Sequence, residues 1–185
     1  MGRPWREFCL IDLGAPGERG HAAEFMSEIR QKDGIDFGDT RPEVNDLLQQ
    51  GVSLARHDKA AADAKFREAL ALDPSTLATH FCLYKIHAYA ARLDDALEIA
   101  EAGLAEAVRQ AGLPRDWSCW TPKDLAQAAQ APARFALYTL KAIAFIELKR
   151  GARRETEKRL DKLAELGASE GIGGGVVADL TRAVS

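Results

Sequence analysis

A spacing of 34 residues recurs in the stretch between residues 62 and 104. Two series of small and apolar residues share one internal pattern: Ala62-x3-Phe66-x2-Ala69-Leu70 and, 34 positions later, Ala96-x3-Ala100-x2-Gly103-Leu104. Residues at such intervals lie on one face of an α-helix. Because helix-turn-helix units of this period stack on their neighbours to bury a shared core, the spacing predicts an array of helix pairs.

Capping signals and prolines delimit the predicted helices. Thr40-x-x-Glu43, with Pro42 inside, is typical of a capping box, and Thr121-Pro122-Lys123-Asp124 has the same form. The pair Asp73-Pro74 ends one helix and opens the next, since proline cannot continue the helix before it. We therefore expect helices over about residues 42–56, 59–72, 75–91 and 93–110.

A second series concerns the first helix of each pair. Leu47-x2-Gln50-Gly51-x2-Leu54 places a small residue where the paired helix approaches, whereas His80-x2-Leu83-Tyr84-x2-His87 keeps the spacing without a small residue. Beyond an interruption, both series return as Leu140-x2-Ile143-Ala144-x2-Glu147 and Thr156-x3-Leu160-x2-Leu163-Ala164. Both are displaced by 60 positions from the second pair, which predicts a third helix pair.

Over about residues 42–166 these series resemble the tetratricopeptide repeat. The resemblance implies an all-α fold, a tetratricopeptide-repeat-like helical solenoid of three helix-turn-helix units with a C-terminal capping helix. Its repeats fall at about residues 43–76, 77–110 and 137–170, with an insertion at 111–136 and the capping helix at about 175–184. This domain, residues 40–185, follows a leader, residues 1–39.

The leader has two interpretations. One is a flexible segment with a short helix near residues 21–32. The other is that Trp5, Phe8, Leu10 and Ile11 fold back into the groove of the solenoid as an internal ligand. The glycines of residues 171–175 lack the Gly-Lys-Ser/Thr ending of a phosphate loop and indicate a linker.

The resemblance also implies a concave groove, lined by the first helix of each repeat, that binds a peptide or a partner protein. The family's groove spacing selects these side chains: Asn45, Leu48, Val52, Arg56, Phe81, Lys85, Tyr89, Tyr138, Lys141, Phe145 and Lys149. Aromatic area with lysine charge between suits a segment that carries apolar anchors and acidic residues. Co-chaperones of this family grip a C-terminal carboxylate with lysine and asparagine. Leu48 and Val52 occupy the corresponding places here, so that clamp is not expected.

We therefore predict a non-catalytic protein-protein interaction module, an adaptor or a chaperone-like scaffold. Acidic chaperones of type III secretion are similar in size and repeat number. The alternative is RNA or nucleotide binding through a basic third repeat, although acidic neighbours such as Glu155, four residues before Arg159, favour a solvated helix face. Its basic residues are Lys149, Arg150, Arg153, Arg154, Lys158, Arg159 and Lys162.

Residues that could support chemistry have simpler interpretations. His80 and His87 occupy packing positions seven residues apart, about 10 Å by helical rise, which is too far to share one metal comfortably. Cys82 has no partners for a catalytic triad. We expect no enzyme activity, cofactor or metal. Trp117 and Trp120 either brace the insertion beneath the third pair or form an interface beside the groove, including a homodimer contact.

Composition supports these expectations. A net charge of −3 gives the chain no electrostatic footprint for DNA. Three widely separated cysteines, with no CxxC pair, fit a reduced cytoplasmic setting. No stretch is long and apolar enough to predict a membrane span. The identity of the partner, the pathway and the oligomeric state do not follow from the sequence.

Overall fold

The structure, a computed structural model, describes residues 35–168 of the 185-residue chain. Within this range all regular structure is helical, which confirms the predicted all-α class. The elements are α1 (Pro42–Leu54), α2 (Lys59–Leu72), α3 (Leu77–Tyr89), α4 (Leu93–Ala111), a 3₁₀ turn (Trp117–Cys119), α5 (Pro122–Gln127), α6 (Gln130–Lys149) and α7 (Arg153–Glu165). The predicted leader helix, the glycine linker and the capping helix lie outside the described residues.

Two compact units divide the chain, with the boundary between Asp73 and Pro74. The first unit contains the α1/α2 pair, and the second contains α3 to α7. The boundary coincides with the Asp73-Pro74 signal that separates two predicted helices. It falls inside the domain predicted for residues 40–185.

The first helix of the first unit begins differently from the prediction. Its N-cap is Arg41, which makes no side-chain cap hydrogen bond, and Pro42 follows in the first turn. The Thr40 hydroxyl donates instead to the Phe37 carbonyl at 3.1 Å. The predicted Thr40–Glu43 capping box is therefore wrong, because the hydroxyl is turned towards the chain that precedes the helix.

A glycine allows α1 and α2 to approach closely. A Cβ atom added at Gly51 would lie within the volume of the Phe66 ring. Val44, Leu48 and Ala62 are fully buried around this contact. The small residue predicted for close approach thus receives the aromatic side chain of the paired helix.

Helices α3 and α4 also meet at a glycine, but the paired helix supplies it. A Cβ atom at Gly103 of α4 would lie 2.7 Å from the Cβ atom of His80 on α3. Gly103 on α4 thus provides the small residue that the corresponding spacing pattern of α3 lacks. His80 itself is buried, and its Nε2 donates to the Pro74 carbonyl at 2.9 Å.

The turns after α3 and α6 have the same backbone hydrogen bonds. After α3, Arg92 N–H donates to the His87 carbonyl and Ala91 N–H to the Ala88 carbonyl. After α6, Ala152 N–H donates to Glu147 and Gly151 N–H to Leu148, each 60 positions later. This Schellman pattern requires a residue with positive φ, which is Ala91 at 57° and Gly151 at 80°. The turn ends α3 at Tyr89, two residues before the end of the predicted helix at about residue 91.

The segment between α4 and α6 is more helical than an insertion at residues 111–136 implies. Thr121 and Asp124 form the predicted capping box at the start of α5, which is confirmed. Helix α6 begins at Gln130, inside the predicted insertion. Pro132 lies in the first turn of this helix. Backbone N–H groups have no intrahelical acceptor in the first turn, so the proline removes no hydrogen bond there.

In the second unit α4 lies antiparallel to both α3 and α6. At one end Gln110 Nε2 donates to the Ser75 carbonyl at 2.6 Å, and Ala129 N–H to the Ala111 carbonyl at 3.1 Å. At the other end Arg150 Nη2 lies 2.6 Å from Asp94 Oδ1. Helices α3 and α6 are therefore parallel, and they also contact each other. Among residues 35–168, no helix has the length and apolar character required to cross a bilayer.

Candidate partner-binding face

Helix α6 carries alternating aromatic and lysine side chains along one stripe. Lys141 Nζ lies 5.6 Å from the centroid of the Tyr138 ring, and Lys149 Nζ lies 4.8 Å from that of Phe145. At 100° per residue these four positions fall within an arc of about 80°. Tyr138 and Phe145 are buried, Lys141 is half-buried and Lys149 is exposed.

Helix α3 carries a similar stripe. Lys85 Nζ lies 4.9 Å from the centroid of Phe81 and 5.8 Å from that of Tyr89. Phe81 is buried and meets Tyr84 edge to face, with ring centroids 5.5 Å apart. Tyr89 is 51% exposed. An ammonium over a ring is attracted by the ring's quadrupole, so these contacts restrain the lysines.

We call these seven residues of the second unit the lysine–aromatic face: Phe81, Lys85 and Tyr89 of α3 with Tyr138, Lys141, Phe145 and Lys149 of α6. Both helices belong to one compact unit and contact each other. The structure thus brings the predicted groove residues of the second and third helix pairs onto two neighbouring parallel helices.

The predicted groove residues of the first unit differ in exposure. Leu48 is fully buried in the α1/α2 core, whereas Val52 and Arg56 are half-buried. Asn45 is half-buried, and its side-chain oxygen accepts from Gln49 Nε2 at 3.3 Å. Leu48 therefore stabilises the helix pair and offers no accessible side-chain area.

The two tryptophans of the segment after α4 lie in different environments. Trp120 is fully buried, and its indole N–H donates to the Pro114 carbonyl at 2.8 Å. Trp117 is half-buried, with its ring centroid 5.0 Å from the Arg159 guanidinium. Asp116 orders the 3₁₀ turn by accepting from the N–H and hydroxyl of Ser118, and these hydrogen bonds hold its carboxyl pKa below the ordinary value.

A buried ion pair beneath Trp117 was not predicted. Arg159 Nη1 lies 2.9 Å from Glu147 Oε2, and both residues are less than a tenth exposed. Burial raises the pKa of the Glu147 carboxyl, and the Arg159 charge only partly opposes that shift. One sequence feature could have indicated this pair. Glu147 is a charged residue at a packing position, the position that His87 occupies in the second helix pair.

Although Glu155 lies four residues before it, Arg159 is buried and pairs with Glu147, so it is not part of a solvated helix face. Glu155 instead accepts from Lys158 Nζ at 2.7 Å. Several basic residues of the third pair contact carboxylates: Arg150 contacts Asp94, Lys158 contacts Glu155, Arg159 contacts Glu147, and Lys162 contacts Glu165. These pairs reduce the positive charge that α7 and its turn offer to a polyanion.

The histidines of α3 occupy packing positions. His80 and His87 are both buried, and Arg92 Nε donates to His87 Nδ1 at 2.9 Å. Asp95 Oδ2 lies 3.4 Å from the same nitrogen. Cys82 is half-buried and Cys119 exposed. No group of three or more His, Cys, Asp or Glu side chains in residues 35–168 is arranged to hold a metal ion.

Comparison with known proteins adds no assignment. No protein-family model, curated protein or solved structure matches this chain. On the lysine–aromatic face, ammonium groups lie over aromatic rings, which places positive charge beside apolar area.

Proposed function

We propose that this chain is a non-catalytic protein-binding module whose second unit holds an acidic, partly apolar segment of a partner on the lysine–aromatic face. The observation that carries the proposal is the lysine–aromatic pattern itself, present on two neighbouring helices. Lysines restrained over rings combine charge with apolar area, which is the chemistry of a protein interface. An adaptor or a chaperone-like scaffold has such a surface.

A tetratricopeptide-repeat-like arrangement is part of this proposal. It is supported by the matched turns after α3 and α6, and by α4 and α7 beginning 60 positions apart at Leu93 and Arg153. In such an arrangement, the first helices of successive repeats share one surface. Helices α3 and α6 have these roles, so the face corresponds to the inner side of the array.

Binding of RNA through the third pair is less favoured by its charges. The salt bridges of Arg150 and Lys158 lie at the surface and are individually weak, and that of Lys162 joins a largely buried lysine side chain to the exposed Glu165. Each nevertheless places a carboxylate beside a cation. A polyanion would have to displace or tolerate these carboxylates. The lysines of the face lie over aromatic rings.

Affinity capture from the native cell tests the proposal. We expect Lys85→Glu with Lys141→Glu to lose partners that the unaltered chain captures, because carboxylates would repel an acidic segment. The matched control is Lys123→Glu with Lys158→Glu, which makes the same charge change at exposed lysines of α5 and α7. Each lost partner is then purified, and its dissociation constant is measured for all three forms. Unchanged affinity for every partner in the face variant would refute the proposal.

A further inference from the structure

The chain that precedes α1 folds back onto that helix. Gly38, with a φ of 78°, and Thr40, whose N–H donates to the Gly38 carbonyl, form a tight turn before the helix begins. Ile35 thereby reaches Gln49, which lies about 10 Å along the helix axis from the first residue of α1. This contact belongs to the first compact unit, whereas the lysine–aromatic face belongs to the second.

Gln49 holds the main chain of Ile35 through both ends of its side-chain amide. The Ile35 N–H donates to Gln49 Oε1 at 3.2 Å, and Gln49 Nε2 donates to the Ile35 carbonyl at 2.6 Å. Gln49 Nε2 also donates to Asn45 Oδ1 at 3.3 Å, which fixes the orientation of the amide. The amide and the peptide group therefore exchange two hydrogen bonds, as paired residues of neighbouring strands do, and no side-chain atom of Ile35 takes part.

Side-chain burial alternates along the held segment. Ile35 is half-buried, Asp36 is exposed and Phe37 is only 5% exposed. Because successive side chains of an extended segment point to opposite sides, Ile35 and Phe37 are the two that anchor it. Proteins recognise extended peptides in this way, with main-chain hydrogen bonds for affinity and anchors at alternate residues for specificity.

We infer that α1 carries a second peptide-binding site, beyond the one proposed on the lysine–aromatic face, and that the chain's own residues 35–37 close it. The partner that fits is an extended segment with an apolar, a polar and an aromatic residue in that order. Such a segment presents the same main-chain groups to Gln49 and the same anchor as Phe37.

The chain's own segment competes with this partner. It is joined to α1 through residues 38–41 alone, so it occupies the site at a high effective concentration. A partner binds only those molecules whose own segment has been displaced, which lowers its apparent affinity by the displaced fraction. The site is therefore closed by the chain itself until a matching segment replaces residues 35–37.

A fluorescein-labelled synthetic peptide of residues 31–41 tests this site by fluorescence anisotropy with the full chain. Phe37→Ala removes the buried anchor of the chain's own segment, while the peptide keeps its phenylalanine. We expect this variant to bind the peptide at least about tenfold more tightly than the unaltered chain, because its site is open in a larger fraction of molecules. Far-UV circular dichroism verifies folding. Phe37→Leu should give an intermediate affinity, and it takes the place of Phe37→Ala if that variant unfolds.

The role of Gln49 is tested in the opened Phe37 variant. Gln49→Met keeps the length of the side chain but removes both hydrogen bonds to the peptide, so it should weaken binding about tenfold. The matched control is Gln50→Met, at an exposed glutamine of the same helix, which should leave the affinity unchanged. A peptide that is N-methylated at Ile35 keeps every side chain but lacks the donor to Gln49, and it should bind about fivefold more weakly.

Equal affinity of the unaltered chain and the Phe37 variants would overturn the inference, as would no binding of the peptide to any form. It would also be overturned if neither Gln49→Met nor N-methylation weakened binding, because the site would then not recognise the main chain. Dimers of the unaltered chain in light scattering that Gln49→Met abolishes would assign the site to residues 35–37 of a second copy, and would overturn the assignment to a different partner. Capture through Lys85 and Lys141 tests the proposed function separately from all of these results.

Discussion

The second and third helix pairs have the same turn but close their interiors by different means. In the α3/α4 pair a large side chain, His80, faces a glycine, Gly103. The equivalent residues of the α6/α7 pair are Leu140 and Leu163, both fully buried. The space between the helices is therefore filled by one large side chain opposite a glycine in the α3/α4 pair. In the α6/α7 pair it is filled by two leucine side chains of intermediate size.

The polar groups at the turn end of α3 and α6 differ in a similar way. His87 is buried in the second pair and accepts from Arg92, a residue of the turn itself. Its equivalent, Glu147, is paired with Arg159, twelve residues away on α7. Thr156 adds a second tie, since its hydroxyl donates to the Ala144 carbonyl at 3.2 Å. The third pair therefore depends on a buried charge where the second depends on a short local hydrogen bond.

The largest effect is expected from breaking that charge pair. Arg159→Met leaves Glu147 buried without its counter-charge, which should cost about 3 kcal/mol of unfolding free energy at pH 7. Loss of Arg159 raises the already elevated pKa of Glu147 further. Since a raised carboxyl pKa gives stability that is lost as pH rises through it, the deficit should shrink at mildly acidic pH.

Urea unfolding followed by far-UV circular dichroism at neutral and mildly acidic pH measures this deficit. Arg154→Met, an exposed arginine of the same helix, is the control at each pH. The double variant Arg159→Met with Glu147→Leu should recover most of the loss, because no buried charge remains. A deficit that is independent of pH would mean that Arg159 acts through packing on Trp117 and not through Glu147.

A smaller effect is expected at the glycine of the second pair. Gly103→Ala gains about 1 kcal/mol of helix propensity, but the added methyl group meets the Cβ atom of His80, which cannot move without its backbone. We expect a net loss of about 2 kcal/mol by urea unfolding. Gly51→Ala should cost less, because it meets the distal ring atoms of Phe66.

Phe66→Leu should reduce the loss of stability caused by Gly51→Ala, because it removes the ring that the new methyl group meets. His80→Ala keeps the Cβ atom of residue 80, so it should not reduce the loss caused by Gly103→Ala. If the second substitution recovers stability equally at both sites, the distance between α3 and α4 adapts to the added methyl group, contrary to our expectation for Gly103.

Helix positions were predicted best where both ends carry a local signal. The predicted range 59–72 agrees with α2, since Asp58 caps its start by accepting from Ala60 and Ala61, and Asp73-Pro74 ends it. The end of α3 was misplaced because a Schellman turn at Ala91 has no glycine to mark it. Spacing revealed the repeated helix pairs, but it did not show that α4 supplies the small residue that α3 lacks.

The candidate site was predicted only in part, because spacing along the chain places residues on a helix but does not specify how the helices pack. Helical spacing places the lysines and aromatic residues on one stripe of each helix. Burial of Phe81, Tyr138 and Phe145 depends on tertiary packing, which spacing alone does not specify. The Glu147–Arg159 pair joins two helices, and no local rule links residues at that separation.

The smallest effect is expected from exchanging the turn residues of the two pairs. Ala91 adopts a φ of 57°, a left-handed conformation that costs an L-residue about 1 kcal/mol, while Gly151 adopts it with no side chain to strain. Ala91→Gly should therefore stabilise the protein by about 1 kcal/mol, and Gly151→Ala should destabilise it by a similar amount. The double exchange should leave stability near its original value if the two turns are equivalent. Urea midpoints at a constant m-value measure all three variants. A destabilising Ala91→Gly would show that the alanine methyl group makes a contact worth more than its backbone strain.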